Sequence, residues 1–249
     1  MMWNTHIFGG MQAGIILATA TNAEPKTALL QIGAATLGSI LPDIDQPNSK
    51  ISRSDIVLNA AAKNLSKVTK HRREVHTVWA SAIFAIIAAV FLFIATSSSV
   101  TGFSVLAGLI AAIIIDLLGF KIGIPMGVLL FFLIPNIIDF SLFTLDKSLI
   151  YPLSLAVFFG CISHLIYDTI NIQGIMWLHP FKKKRYKLGK IQTQSKEESF
   201  FRVLMIMITL ILLVATQPLG LNPIEEIFNN KEIFLQWKLL KFKPVEEVE

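Results

Sequence analysis

Charge is scarce in this chain. Asp, Glu, Lys and Arg make up 16% of its 249 residues, whereas 53% are hydrophobic. Soluble domains carry about 25% charged residues, so the composition points away from a water-soluble domain and toward a membrane protein. Cysteine is nearly absent. The single Cys161 lies in an apolar run, which rules out an intramolecular disulfide and leaves it as a small packing residue. No HExxH or CxxC signature occurs, so no single local motif announces a metal site. No positive segment precedes the first apolar stretch, and a cleaved signal peptide is therefore not expected. Neither an internal repeat nor a low-complexity linker divides the chain. These features describe one integral-membrane domain, residues 1–220, and an amphipathic tail, residues 221–249.

What the chain has instead is long apolar runs. Residues 78–96, 100–120, 124–145, 149–172 and 201–216 each approach the roughly 20 residues that cross a bilayer. Two shorter stretches, 6–20 and 27–41, are interrupted by glycine and small residues. Short membrane helices, re-entrant segments and buried helices all fit them. The expected fold is an all-α, polytopic helical bundle with about five long spans and two short N-terminal helices.

Basic residues orient that bundle. If each run crosses once, residues 50–73 hold seven Lys and Arg on one face, Lys121 adds another, and residues 182–202 add eight. Thus 16 of the 22 basic residues share a face, which the positive-inside tendency assigns to the cytoplasm. The net charge of +5 also suits nucleic acid, but this loop distribution argues for a membrane and against a specific nucleic-acid partner. The "KKKRYK" segment suits either anionic headgroups or a solvated loop.

The histidines fall on the same face. His6 starts the first helix, with Asn4 or Thr5 as its cap; Asp43 and Asp45 follow the second in "GSILPDIDQPNSK", and His76 in "HRREVHT" precedes the third. His164 and Asp168 in "SHLIYDTIN" are four apart, one helical turn on a shared face. Asn171 extends that stripe. An intramembrane His–carboxylate pair is costly and marks a polar cavity or a partner; a helix-packing hydrogen bond is the bland alternative. Imidazole and carboxylate together suit zinc first, and also manganese or iron. Three histidines and three aspartates are enough for one or two ions.

These motifs resemble the YdjM-like family of membrane-bound, metal-dependent hydrolases. The likeness rests on "TH" with His6, "GSILPDIDQP", "HRREVHT" with His71, Arg72, His76 and Thr77, "HLIYDTIN", "GIMWLHPF" and an acidic residue at Glu197 or Glu198. It spans roughly residues 5–200. The resemblance implies a helical membrane protein with a hydrolytic divalent-metal site. The motif layout is also distantly similar to zinc-dependent phospholipase C and P1-type nucleases. By residue type and family pattern, the metal ligands are His6, Asp43, Asp45, His76, His164 and Asp168. Asp45, His71 and Arg72 are the catalytic candidates, with His71 a substrate contact or outer partner. Arg72 suits phosphate or a positive-inside anchor equally. Arg73 and His179 are assigned surface or structural roles, Glu74 a solvated place in the first turn of its helix, and Trp177 an interfacial one.

The expected protein is a divalent-metal hydrolase of a bacterial-type inner membrane, with its site at the cytoplasmic face. Membrane lipids surround it, and its substrate is a small molecule or a lipid, with a phosphoester the most natural choice. A metal-binding transporter or sensor, and a scaffold with a structural metal, use the same residues without hydrolysis. Asp139, after Pro135 and Asn136, is the feature that favours a transporter.

Overall fold

The computed structural model describes residues 3–49, 52–53, 55–69, 72–96 and 146–216. The runs 100–120 and 124–145, with Asp116 and Asp139, lie outside the described residues, as do His71 and the tail 221–249. Among the described residues there are six α-helices and no strand. They are α1 (Trp3–Ala20), α2 (Pro25–Gly38), α3 (Ile56–Val68), α4 (Val78–Ala95), α5 (Ile150–Ile170) and α6 (Lys196–Thr216). A 3-10 turn, Leu41–Asp45, follows α2.

Local chemistry sets the boundaries. Pro25 opens α2, where its fixed φ suits the first turn and its missing N–H costs nothing. Asp55 caps α3 by accepting from the Val57 and Leu58 amides at 2.7 and 3.4 Å. Thr77 caps α4, its hydroxyl accepting from the Ala80 amide at 3.1 Å. Each cap satisfies backbone donors that the first turn leaves open.

Among the described residues, four helical segments are long and apolar enough to cross a membrane: Pro25–Asp45, Val78–Ala95, Lys147–Ile170 and Lys196–Thr216. Three coincide with expected long runs. The other is one of the two stretches expected to be short, and it reaches spanning length because the 3-10 turn continues α2. The outward faces of α4 and α6 carry Ile83, Ile86, Val90, Phe93, Leu204 and Ile211, all exposed. Such residues suit lipid.

The centre of the bundle is built from small residues. Helix α2 packs between α1 and α5, α4 lies on α5, and α6 lies on α1. A Cβ at Gly14 would stand 2.5 Å from the Ile32 Cα, and one at Gly160 would stand 2.8 Å from the Ala35 carbonyl carbon. Helices in lipid gain little from apolar burial against each other, so close backbone approach is what holds them. Cys161 sits in the same seam and donates its thiol to the Gly38 carbonyl at 3.1 Å. Polar contacts add to it: the Tyr167 hydroxyl donates to Gln12 Oε1 at 2.9 Å, and Gln12 Nε2 donates to Thr209 Oγ1 at 3.1 Å. This chain of bonds ties α1, α5 and α6 together. Gly160→Leu should therefore destabilise the bundle by at least the roughly 1–3 kcal/mol of an overpacked core, read as a lower unfolding midpoint in detergent.

Candidate metal centre

The crossings bring the sequence's scattered polar clusters to one end of the bundle. His6 lies in the first turn of α1, Asp43 in the 3-10 turn after α2, and His76 in the loop before the Thr77 cap. His164 and Asp168 occupy the last two turns of α5. Helix α1 starts at Trp3, so Asn4 and Thr5 lie inside it and do not cap it.

Two imidazole nitrogens face each other here, and two carboxylate oxygens flank them. His76 Nε2 and His164 Nε2 are 3.2 Å apart. Asp43 Oδ1 is 3.6 Å from His76 Nε2 and 3.8 Å from His164 Nε2. Asp168 Oδ2 is 3.6 and 3.7 Å from the same two nitrogens. A tetrahedral ion with bonds of 2.0–2.1 Å sets its ligands about 3.3 Å apart. The separations around the two nitrogens are close to that value, and the donor types suit a divalent ion. His164 Nδ1 donates to the Ser39 carbonyl at 2.7 Å; a carbonyl only accepts, so Nδ1 carries a proton and Nε2 faces inward. This outer bond is the usual means of fixing a metal-binding imidazole. Burial holds the His76 imidazole below its ordinary pKa of 6.5, keeping it in the neutral form that ligates.

The second Asp168 oxygen points elsewhere. Oδ1 is 3.5 Å from His6 Nε2 and 3.5 Å from the Arg72 Nη2. The His6 ring stacks on His164 with centroids 3.7 Å apart and planes 15° apart. His6, Asp43 and His164 form one group able to hold an ion, and His76, His164 and Asp168 form another, with donor atoms inside 4.8 Å in each. Five of the six expected ligands are thus brought together. Asp45 is buried on the same 3-10 turn but belongs to neither group.

Arg72 is the residue whose place is least like a headgroup anchor. It is 7% exposed, its φ is +64°, and its Nη1 donates to Asn171 Oδ1 at 3.2 Å. Asn171, expected to extend the α5 stripe, follows the helix end instead, in extended backbone. Arg73 Nη2 lies 3.1 Å from His179 Nε2 and 3.5 Å from Glu74 Oε1, so both residues stay outside the centre. Glu74 precedes α4 and is not part of its first turn. Thr77 is occupied as the helix cap. Trp177 Nε1 donates to Thr169 Oγ1 at 2.8 Å.

Of the two acidic candidates near residue 197, Glu198 is fully buried and Glu197 is exposed. Glu198 Oε2 accepts from the Gln194 amide at 2.7 Å, and Thr5, next to His6, donates to Oε1 at 3.5 Å. The available signal was Ser195 three residues before Glu198, a capping-box spacing; the Glu198 amide does donate to Ser195 Oγ at 3.1 Å.

Neither a curated protein nor a solved structure matches the chain. A family model described as YdjM inner membrane protein matches residues 1–224, a stretch that holds every helix and every donor described above. The chain belongs to the YdjM inner membrane protein family.

Proposed function

We propose that this protein is a divalent-metal-dependent hydrolase acting on a phosphoester, lipid-borne or close to the bilayer, at the cytoplasmic face of the inner membrane. The observation that carries the reading is the pair of His76 and His164 nitrogens 3.2 Å apart, each with Asp43 Oδ1 and Asp168 Oδ2 at 3.6–3.8 Å. A His₂Asp₂ set suits zinc first, with manganese and iron as other candidates, and His6 with Asp168 Oδ1 offers room for a second ion. When bound, such an ion lowers the pKa of water and polarises a phosphoryl oxygen. The chain's own residues do the rest. Asp43, with a side chain 16% exposed against 0–1% for His76, His164 and Asp168, marks the side from which substrate enters. Arg72 directs a buried guanidinium at the centre, and its Nε has no hydrogen-bond partner among the described residues, leaving a donor for an anionic oxygen. Asp45, buried on the same 3-10 turn as Asp43, is the carboxylate proposed to take a proton from attacking water.

The competing reading is a structural ion, because His76, His164, Asp43 and Asp168 binding together would complete a tetrahedron, and a closed site does not turn over. A panel of phosphoesters separates the two. Wild type should bind metal and hydrolyse at least one ester, while Asp45→Asn should keep the metal and lose about 10²–10⁴-fold in rate, the usual worth of a general base. Bound metal with no turnover on any ester would favour the structural reading.

A further inference from the structure

The segment between α5 and α6 carries a feature that the metal centre does not use. Residues 169–195 contain Lys182, Lys183, Lys184, Arg185, Lys187 and Lys190 and not one Asp or Glu. This segment is folded back on the bundle. Asn171 bridges Ile191 and Ile175 bridges Tyr186; the Leu188 amide donates to the Thr169 carbonyl at 2.8 Å, and the Val78 amide to the Trp177 carbonyl at 3.1 Å. The fold leaves a cavity of about 550 Å³ between the segment and the outer face of α5. That volume is in the range of small-molecule sites. Ile166, Leu178, Leu188 and Trp177 make its walls, and Lys184 and Lys187 line it too.

Its position is that of a lipid boundary. Ile166 is 45% exposed on a spanning helix, so the cavity opens toward acyl chains, and Leu188 is 83% exposed. Lys184 and Lys187 are exposed, whereas Arg185 is tied to the backbone, its Nη1 donating to the Gln173 carbonyl at 2.8 Å. Apolar walls that open to the bilayer, combined with cations and no carboxylate in the segment, complement one kind of molecule. We propose that this groove binds an anionic phospholipid, with an acyl chain along Ile166, Leu178 and Leu188 and the phosphate at Lys184 and Lys187. The site stands on a different face of α5 from His164 and Asp168, and does not depend on hydrolysis at the metal centre. Attraction of basic residues to an anionic leaflet is general; the groove adds a defined place for one molecule.

Native mass spectrometry of the full chain, released from detergent with equal phosphatidylglycerol and phosphatidylcholine of matched chains, tests this. Wild type should retain one phosphatidylglycerol in preference to phosphatidylcholine. Lys184→Gln with Lys187→Gln should reduce that preference by roughly tenfold, since two charge-assisted phosphate contacts are lost. Lys63→Gln with Lys67→Gln, which removes the same charge from α3, should leave it unchanged. Metal content, unaltered in both pairs, reports that each remains folded. Equal retention of the two lipids by wild type, or equal loss in the two variant pairs, overturns the proposal.

Discussion

Asp168→Asn should empty the metal centre. Its Oδ2 lies 3.6 and 3.7 Å from the His76 and His164 nitrogens, and its Oδ1 meets His6 and Arg72. The amide keeps the size of the side chain but loses the charge that favours a divalent ion. Outer partners of metal ligands cost 10–100-fold in affinity when removed, so a ligand that also bridges two groups should cost more than about 100-fold. Titration with zinc, together with metal analysis after desalting, reads the change directly. His179→Ala removes a histidine outside the centre and should bind metal as wild type does. A drop of similar size in both variants would show that the loss comes from general unfolding.

Arg72→Lys should be nearly as damaging to turnover as full removal. The guanidinium uses separate nitrogens for Asp168 and Asn171, a two-armed geometry that a lysine ammonium does not reproduce. We expect metal affinity to fall about 10–100-fold, as for outer partners of metal ligands in general, with the number of ions at saturation unchanged. Arg72→Leu removes the charge altogether and leaves Asp168 short of a buried partner, a loss of about 3–5 kcal/mol when such a pair is broken. A residue serving only as a positive-inside anchor gives the opposite pattern: Lys would rescue everything. Membrane orientation, read by cysteine labelling from either side, should be the same in all three proteins, because so many other basic residues share that face.

The difference in how these residues could be read from sequence has a physical basis. His164 and Asp168 were legible because a histidine and a carboxylate one turn apart inside an apolar run are too costly to bury without a polar partner. Asp43 and His76 were legible only jointly, once the crossings placed both at one end; neither has a local signature. Arg72 was ambiguous because an arginine before a spanning helix carries the same signal whether it lies in the headgroups or folds inward. Its inward turn follows from the left-handed backbone at φ +64° and from Asn171, 99 residues away. Glu198 reaches Thr5 across 193 residues, a separation for which one sequence holds no signal beyond the capping pattern. Small-residue packing of Gly160 on Ala35 is likewise invisible until the helices are paired. The start of α1 was misplaced for a simpler reason: Asn4 and Thr5 are good caps, but Thr5 is drawn to Glu198 instead.

The central claim is that His76, His164, Asp43 and Asp168 hold a divalent ion. Metal analysis of the purified full chain, equilibrated at sub-micromolar free zinc, manganese and iron, tests it most directly. Wild type should carry one or two ions per chain, and His76→Ala with His164→Ala should carry none. A wild-type protein that is folded but metal-free under those conditions would contradict the account.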